Sequence, residues 1–514
     1  MLYRPPRPKK MWDCTVYYEE PYYHIFYLSS GNIGHISTED FVHYKEFPDI
    51  NGFGEKGCWN QDGVPLTGTL VKTGNVYKML LGALEPHTNQ QVYGLYISDD
   101  LTTWREYDRN PVLTADGAIY EKNASPRDWW MYTAWRDPNV IAEKDGEYTL
   151  CLCARLKDHA DDSTGAAVAK LKTKDFIHYE YCEPFTETGT LTKYAECPDL
   201  FETGGNRYVT FLDHSWGGLH TRTATRSNPA GTFYQIYDKA KKRFVFPDDC
   251  LLIGSANNRQ CAWAARTVVG KGGKRLLYYH VTAEFPSFGI PKEIAAKKDG
   301  TLFLKYFAGM DGLYGMRIPL QPCPIANDGG HWVVAGNNFR GKAGIYGSAL
   351  PVAEAENFIF DGTVSVNGGD KAGIACWHTD SEEAGAAVVW LDFANRRITA
   401  AWEHYREYEG FGDFQSDVVN GGMIRERDEK QYGLAYGVPY RLKIIARDST
   451  LDVYIDGEWV LCKRFSMCGG RHKISLTAER AEADFADVQL HTCKELHVQS
   501  AGESTAYPKS EKQN

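Results

Sequence analysis

The chain has 514 residues, 43% hydrophobic, 24% charged and 13% aromatic, with a formal net charge of −10. That length exceeds one ordinary core and predicts two or three domains, while the acidic balance argues against a phosphate-binding surface and with it a nucleic-acid partner. No apolar run is long enough to span a bilayer, which argues against a membrane protein. The 32 Tyr, 23 Phe, 13 Trp and 49 Gly favour strands and tight turns over helix, so the expectation is an all-β fold. Thirteen cysteines form an odd count without metal-ligand spacing. They read as reduced, buried thiols of a cytoplasmic protein, with no metal and no cofactor.

Taken in chain order, the stretch up to Trp12 carries Arg4, Arg7, Lys9 and Lys10 among prolines. No apolar run follows, unlike a secretory signal. Asp13 comes next, ahead of an aromatic strand at 22–27. A unit then recurs: an apolar strand, a second strand, and a Ser/Thr-x-Asp-Phe/Leu turn followed by an aromatic. Its strands lie at 22–27, 76–81, 148–152, 208–212 and 275–279, and its turns centre on Asp40-Phe41, Asp100-Leu101 and Asp175-Phe176, with a degenerate copy over 224–233. Five such units predict a five-bladed β-propeller. In a propeller the starts of the innermost strands converge on a central channel, and Asp13, Asp137 and Glu196 each stand at such a start.

Between the first two turns, Trp59, Asn60, Gln61 and Asp62 precede Leu66-Thr67-Gly68. Polar residues in blade loops at a channel mouth are placed to read sugar hydroxyls, so Asn60, Gln61, Asp62 and Thr67 are candidates for substrate binding. Trp135-Arg136-Asp137-Pro138 opens one apolar strand, and Glu196-Cys197-Pro198-Asp199 opens another about sixty residues on. Two carboxylates delivered to strand starts from distant parts of one chain are what glycosidic cleavage needs, one to protonate the leaving oxygen and one to attack or stabilise. Arg136, beside Asp137, can donate to sugar hydroxyls, and Trp59 and Trp135 are candidates to stack on a sugar face. His214, in a polar Asp-His-Ser-Trp loop, joins the substrate-binding set. The glycine-rich string at 270–274 lacks the spacing and the helix of a phosphate loop and reads as a hairpin turn.

Beyond the repeats, 321–345 breaks into Pro, Gly and Asn and is expected to link the propeller (1–320) to a second unit. That unit, 346–495, has many short alternating strands and predicts a lectin-like β-sandwich. It reads as a sugar binder, a wall of the active site or a homodimer surface. Residues 496–514 are polar and expected to be disordered.

These motifs resemble glycoside hydrolase family 32, the β-fructofuranosidase family. Arg136-Asp137-Pro138 and Glu196-Cys197 match its Arg-Asp-Pro and Glu-Cys motifs in order, Leu66-Thr67-Gly68-Thr69 resembles its Ser-Gly motif, and the likeness runs over roughly residues 11–492. It departs at Met11-Trp12-Asp13-Cys14-Thr15, where the family carries Trp-Met-Asn-Asp-Pro-Asn-Gly, and at Ile33, where it carries Trp. The resemblance implies a five-bladed propeller followed by a sandwich, with Asp13 as nucleophile, Glu196 as general acid and then base, Asp137 stabilising the transition state and Arg136 on substrate hydroxyls. The implied activity is retaining cleavage of a fructofuranoside or related furanoside. Three other readings use the same residues: a fructosyltransferase, an inverting arabinanase or xylosidase type with carboxylates about 6.5–9.5 Å apart, and a sugar-binding protein without turnover.

Overall fold

A computed structural model of the chain describes residues 2–500 except 7–8, 30, 51–56, 62–65, 86–87, 89, 124–133, 143–145, 159–164, 190–193, 214–229, 256–261, 282–285, 326–328, 345–346, 379–384, 409–410, 417–426 and 466–469. The fold is all-β, as the composition predicts. Helix among the described residues is limited to short turns such as Lys271–Gly273 and Ala308–Leu313, and none is long and apolar enough to cross a membrane.

Four antiparallel sheets follow one another along the first half. They begin with Cys14–Glu19, Leu66–Thr73, Arg136–Ala142 and Glu196–Thr203, and in each the strands adjacent in sequence pair antiparallel, while Leu251–Ser255 also pairs with Ala230–Asp238 in the fourth and one much later strand joins the first. These opening strands pack in chain order, first on second, second on third and third on fourth, and Ala262–Val269 touches both the fourth and the first. The strands after it do not form a free-standing sheet. Lys292–Ala296 pairs with Leu302–Tyr306, and Lys305 of that strand meets Glu458 of the sandwich, so the ladder continues into a single 18-stranded sheet. Where the sequence predicts five blades, four stand as separate sheets.

The repeated turn has a local cause. Asp40, Asp100 and Asp175 each accept the backbone N–H groups two and three residues ahead at 2.7–2.9 Å. Thr38 and Thr173 hydroxyls accept the N–H of Phe41 and Phe176 at 2.8 and 2.9 Å. The residue after each Asp is left-handed, with φ of 58° at Phe41, 64° at Leu101 and 69° at Phe176. Side-chain oxygens thus satisfy donors that the turn takes off the ladder. The fourth copy lies largely outside the described residues.

The sandwich is organised by two long strands, Phe358–His378 and His472–Cys493, paired antiparallel from end to end. Its inward residues, including Phe360, Ile374, Leu391, Leu442 and Leu476, form one core. Ile359, Ile445, Tyr454 and Trp459 instead join the propeller core beside Tyr279 and Phe288.

Two boundary expectations are corrected. The stretch 321–345 carries a hairpin, Gly330–Ala335 with Asn338–Ala343, and Phe339 to Lys342 pairs with Glu482 to Phe485, so alternating residues flanking the Gly-Asn turn add strands to the sandwich. The segment from 496 onward is not wholly without structure: His497–Gln499 pairs in parallel with His43 to Lys45 at the outer edge of the first sheet, and the rings of His43 and His497 stack at 5.0 Å. An open sheet edge offers unpaired backbone groups to any strand that reaches it, even a polar one. Residues 501–514 lie outside the described residues.

Candidate active site

One backbone device recurs at the start of the opening strands. Thr67-Gly68, Asp137-Pro138, Cys197-Pro198 and Ala264-Ala265 each set two residues against one on the neighbouring strand, a β-bulge. Asp137, Cys197 and Ala264 are left-handed there, with φ of 59°, 46° and 51°, a conformation costing roughly 1–3 kcal/mol each. The bulge explains the prolines, which cannot donate to a ladder and are tolerated where it is broken. It also releases N–H groups for other work: the Cys197 N–H donates to Asp137 Oδ2 at 2.9 Å, and the Asp137 N–H to the Tyr93 hydroxyl at 2.8 Å. Gly68 is required because a Cβ there would lie 2.4 Å from the Leu80 carbonyl.

Three sheets bring their acids together. Asp13, just ahead of the first strand, accepts a hydrogen bond from the Thr67 hydroxyl at 2.7 Å, and the Cys197 thiol lies 3.7 Å from the same oxygen. Ligand atoms of Asp13, Asp137 and Cys197 all lie within 4.8 Å of one another. Glu196 accepts from Arg136 Nη2 at 2.6 Å, Arg136 Nε stands 3.8 Å from Asp137 Oδ2, and the guanidinium lies 4.8 Å over the Tyr194 ring. Arg136 therefore spans two of the three acids.

The electrostatics single out Asp13. Burial, then the neighbouring Asp137 and, more weakly, Glu196 push its carboxyl up to about 6, against the pull of the Thr67 hydrogen bond and of Arg266. Burial and the same two aspartates hold the Cys197 thiol well above its usual range. A thiol kept neutral is a poor nucleophile, which leaves the carboxylates as the candidates for chemistry.

Two residues at this centre have no counterpart in the sequence reading. Arg266 is buried, and its guanidinium donates to the carbonyls of Gly68, Asp137 and Pro138 at 3.0, 2.8 and 3.2 Å. It pins the bulges of two sheets from a third strand. His280 is fully buried with Nδ1 3.4 Å from Asp13 Oδ1, its ring edge-on to Trp12, and burial lowers its pKa to about 3, so it is a neutral neighbour of Asp13. An Arg in the apolar run Ala-Trp-Ala-Ala-Arg-Thr-Val-Val was the available signal for Arg266; a lone histidine in an aromatic strand gives none.

The other expected residues separate. Thr67 is at the centre, with its hydroxyl on Asp13. Trp135 is fully buried, packed against Tyr120 and Tyr181 at 5.4 and 6.1 Å, and presents no face to a ligand. Trp59 lies over Gly94 of the second sheet with its indole N–H on Glu106 of that sheet's outermost strand. Both tryptophans pack structure, as large aromatics in a propeller commonly do. Gln61 accepts the Gly57 N–H at 2.9 Å and closes its own loop. Asn60 is buried, close to Tyr96. Asp62 and His214 lie outside the described residues, as do 124–133 and 190–193, which precede Asp137 and Glu196 in sequence, and 256–261, which precede the strand of Arg266.

Comparison with known proteins bears on this centre. The profile of the glycosyl hydrolases family 32 N-terminal domain matches residues 13–281, just over half of the chain. A sucrose:sucrose 1-fructosyltransferase of Festuca arundinacea is 29% identical over 205 residues, covering 36% of this chain and 28% of that protein. The match therefore spans under a third of that relative's length. Among solved structures, a β-fructofuranosidase of Bombyx mori aligns over 97% of this chain and 94% of its own with a TM-score of 0.64 at 14% identity. Fructan 1-exohydrolase IIa of Cichorium intybus aligns over 97% and 98% with a TM-score of 0.66 at 12% identity. An exo-inulinase of Aspergillus awamori aligns over 96% and 98% with a TM-score of 0.66 at 15% identity. These share the propeller-plus-sandwich fold from end to end, and with the profile over Asp13, Asp137 and Glu196 the chain belongs to glycosyl hydrolase family 32, a family of glycoside hydrolases.

Proposed function

We propose that the chain cleaves a fructofuranoside, or a similarly shaped furanoside, with retention of configuration. The observation that carries this reading is the convergence of Asp13, Asp137 and Glu196 from three sheets, with Arg136 bridging the latter two. The Asp13 carboxylate attacks the anomeric carbon as the bond to the leaving oxygen breaks, and Glu196 gives that oxygen its proton. Water then attacks the same carbon, Glu196 takes the water's proton, and the bond to Asp13 breaks. Asp137 faces the charge that develops on the ring, and Arg136 donates to substrate hydroxyls.

Within this reading the strands from Ala262 onward act as the fifth blade and close the channel. The packing of Ala262–Val269 against the first and fourth opening strands supports that role. A transferase reading has one observation in its favour, the partial match to a fructosyltransferase. It differs only in resolving the covalent intermediate with a sugar hydroxyl in place of water.

The test is product analysis by NMR with sucrose, 1-kestose, inulin-type oligosaccharides, levan and aryl furanosides. Retained configuration at the released anomeric carbon is expected. Initial release of the inverted anomer would replace this mechanism with the inverting one, products longer than the substrate would favour transfer, and binding without turnover would leave a sugar-binding protein.

A further inference from the structure

On the sandwich, a polar row crosses four neighbouring strands. Register sets Lys371 between Glu479 on one flank and Asp392 on the other, and Asp392 opposite Arg397. The next row on the same face holds Trp390 opposite Thr399. The intervening residues, Ala372, Leu391 and Ile398, point into the sandwich core. By strand alternation the polar row therefore faces away from that core.

The row lines a cleft of about 240 Å³. That is far more room than a single water or ion needs. Its floor is Trp390, buried, with its indole N–H on Glu403 Oε1 at 2.9 Å and Lys371 Nζ 4.6 Å from its ring centre. Along the walls, each acid stands beside a donor: Arg397 Nε lies 2.9 Å from Asp392, Lys371 Nζ 2.7 Å from Glu479, and Asn395 Nδ2 2.9 Å from Asp392. Arg480, 54% exposed, forms the rim and pairs with Asp370.

This composition discriminates among ligands. Four lining acids, Asp370, Asp392, Glu403 and Glu479, stand against three cations, Lys371, Arg397 and Arg480, so the cleft has no cationic excess to hold a phosphate or sulfate, and a neutral guest is indifferent to that balance. Among the described residues the three-ligand group suited to a metal ion is Asp13, Asp137 and Cys197, not this cleft. A sugar hydroxyl both gives and accepts a hydrogen bond, so a vicinal diol is complementary to a carboxylate beside a guanidinium or amide. We infer that this cleft is a second carbohydrate site, which holds one residue of a neutral oligosaccharide. No strand that supplies Asp13, Asp137 or Glu196 lines it. The inference rests on the sandwich's own residues and does not depend on the fructoside reading.

The experiment uses the full chain with Glu196→Gln, so that no probe is consumed, and titrates 1-kestose and cellotriose by calorimetry. The expected result is an equivalent of at least one probe that persists when Arg136→Ala is added. That equivalent should weaken at least about tenfold with Asn395→Ala plus Thr399→Val. Arg480→Ala, at an exposed rim position, gives a second reading from a variant that leaves the sandwich core untouched, with a weakening of about threefold. Absence of such an equivalent with both probes, or one indifferent to both sandwich variants, overturns the proposal.

Discussion

Two buried groups of charge in this molecule are assembled on opposite principles. At the junction of propeller and sandwich, Lys292 and Asp452 pair at 2.9 Å, both almost fully buried. Lys292 also donates to the Tyr279 hydroxyl at 2.6 Å and the Ile290 carbonyl at 2.9 Å, and Asp452 accepts from the Trp459 indole at 3.2 Å. Opposite charges and neutral partners there satisfy one another. At the channel centre, by contrast, like charges are pressed together, and the fold holds them there with strained bulges and the three-carbonyl grip of Arg266. Complementary burial leaves each charge satisfied and is costly to break; conflicting burial costs stability and, in the proposed reaction, poises the Asp13 carboxylate.

That contrast can be broken in three ways. The largest effect is expected on turnover: Asp13→Asn or Glu196→Gln should cut kcat by at least about 10⁴-fold while circular dichroism and melting behaviour show an intact fold. Retained turnover in Glu196→Gln would remove that residue from the acid role. At the junction, Lys292→Met alone should destabilise by about 3–5 kcal/mol in denaturant titration, because Asp452 is left buried and unpaired. Adding Asp452→Leu should recover about half of the loss, since the like-sized apolar pair removes the stranded charge but takes the acceptor from the Trp459 indole N–H and the donor from the Ile290 carbonyl.

The smallest effect concerns pH and has the opposite sign from the junction. Asp13 titrates near 6 when folded and near 3.8 as a free side chain. The folded chain holds that proton more tightly, so its contribution to stability is fully present below the lower value and is lost as pH rises through the upper one. Asp13→Asn should therefore be more stable than the parent at pH 7, by up to about 3 kcal/mol, and no more stable near pH 3.5. Thermal melts across that range read the difference. In the active chain the acidic limb of kcat/KM should fall below about pH 6; a limb unchanged in position by Thr67→Val, which removes the hydroxyl that lowers the Asp13 value, would detach it from Asp13.

Much of this was legible in the sequence, and the parts that were not have physical reasons. The Ser/Thr-x-Asp turn could be read because its oxygens act within three residues of themselves. Asp137 and Glu196 could be read because an acid ahead of an apolar strand is conspicuous. Trp59 and Trp135 could not: both stand ahead of a strand, where no alternation says whether a ring faces a channel or a blade interface. Arg266 escaped notice because its partners are main-chain carbonyls of two other sheets, which leave no trace in side-chain patterns. The hairpin in 330–343 was hidden because its Gly and Asn spell a turn whether or not strands flank it, and His497–Gln499 because it borrows its pairing from an edge more than 450 residues away.

The repeated Asp turns have a consequence for how this molecule can change. They follow the third strand of a sheet, whereas the acids stand at the start of the first, and antiparallel strands put those two points on opposite faces of the propeller. One face is stitched by a uniform, self-contained device that needs nothing from the rest of the chain. The other is free to carry loops of unequal length around a fixed set of acids. Loop grafts on the acid face should therefore be accepted without refolding the scaffold, so that new specificities can be sampled on one side of the disc while the other keeps it shut.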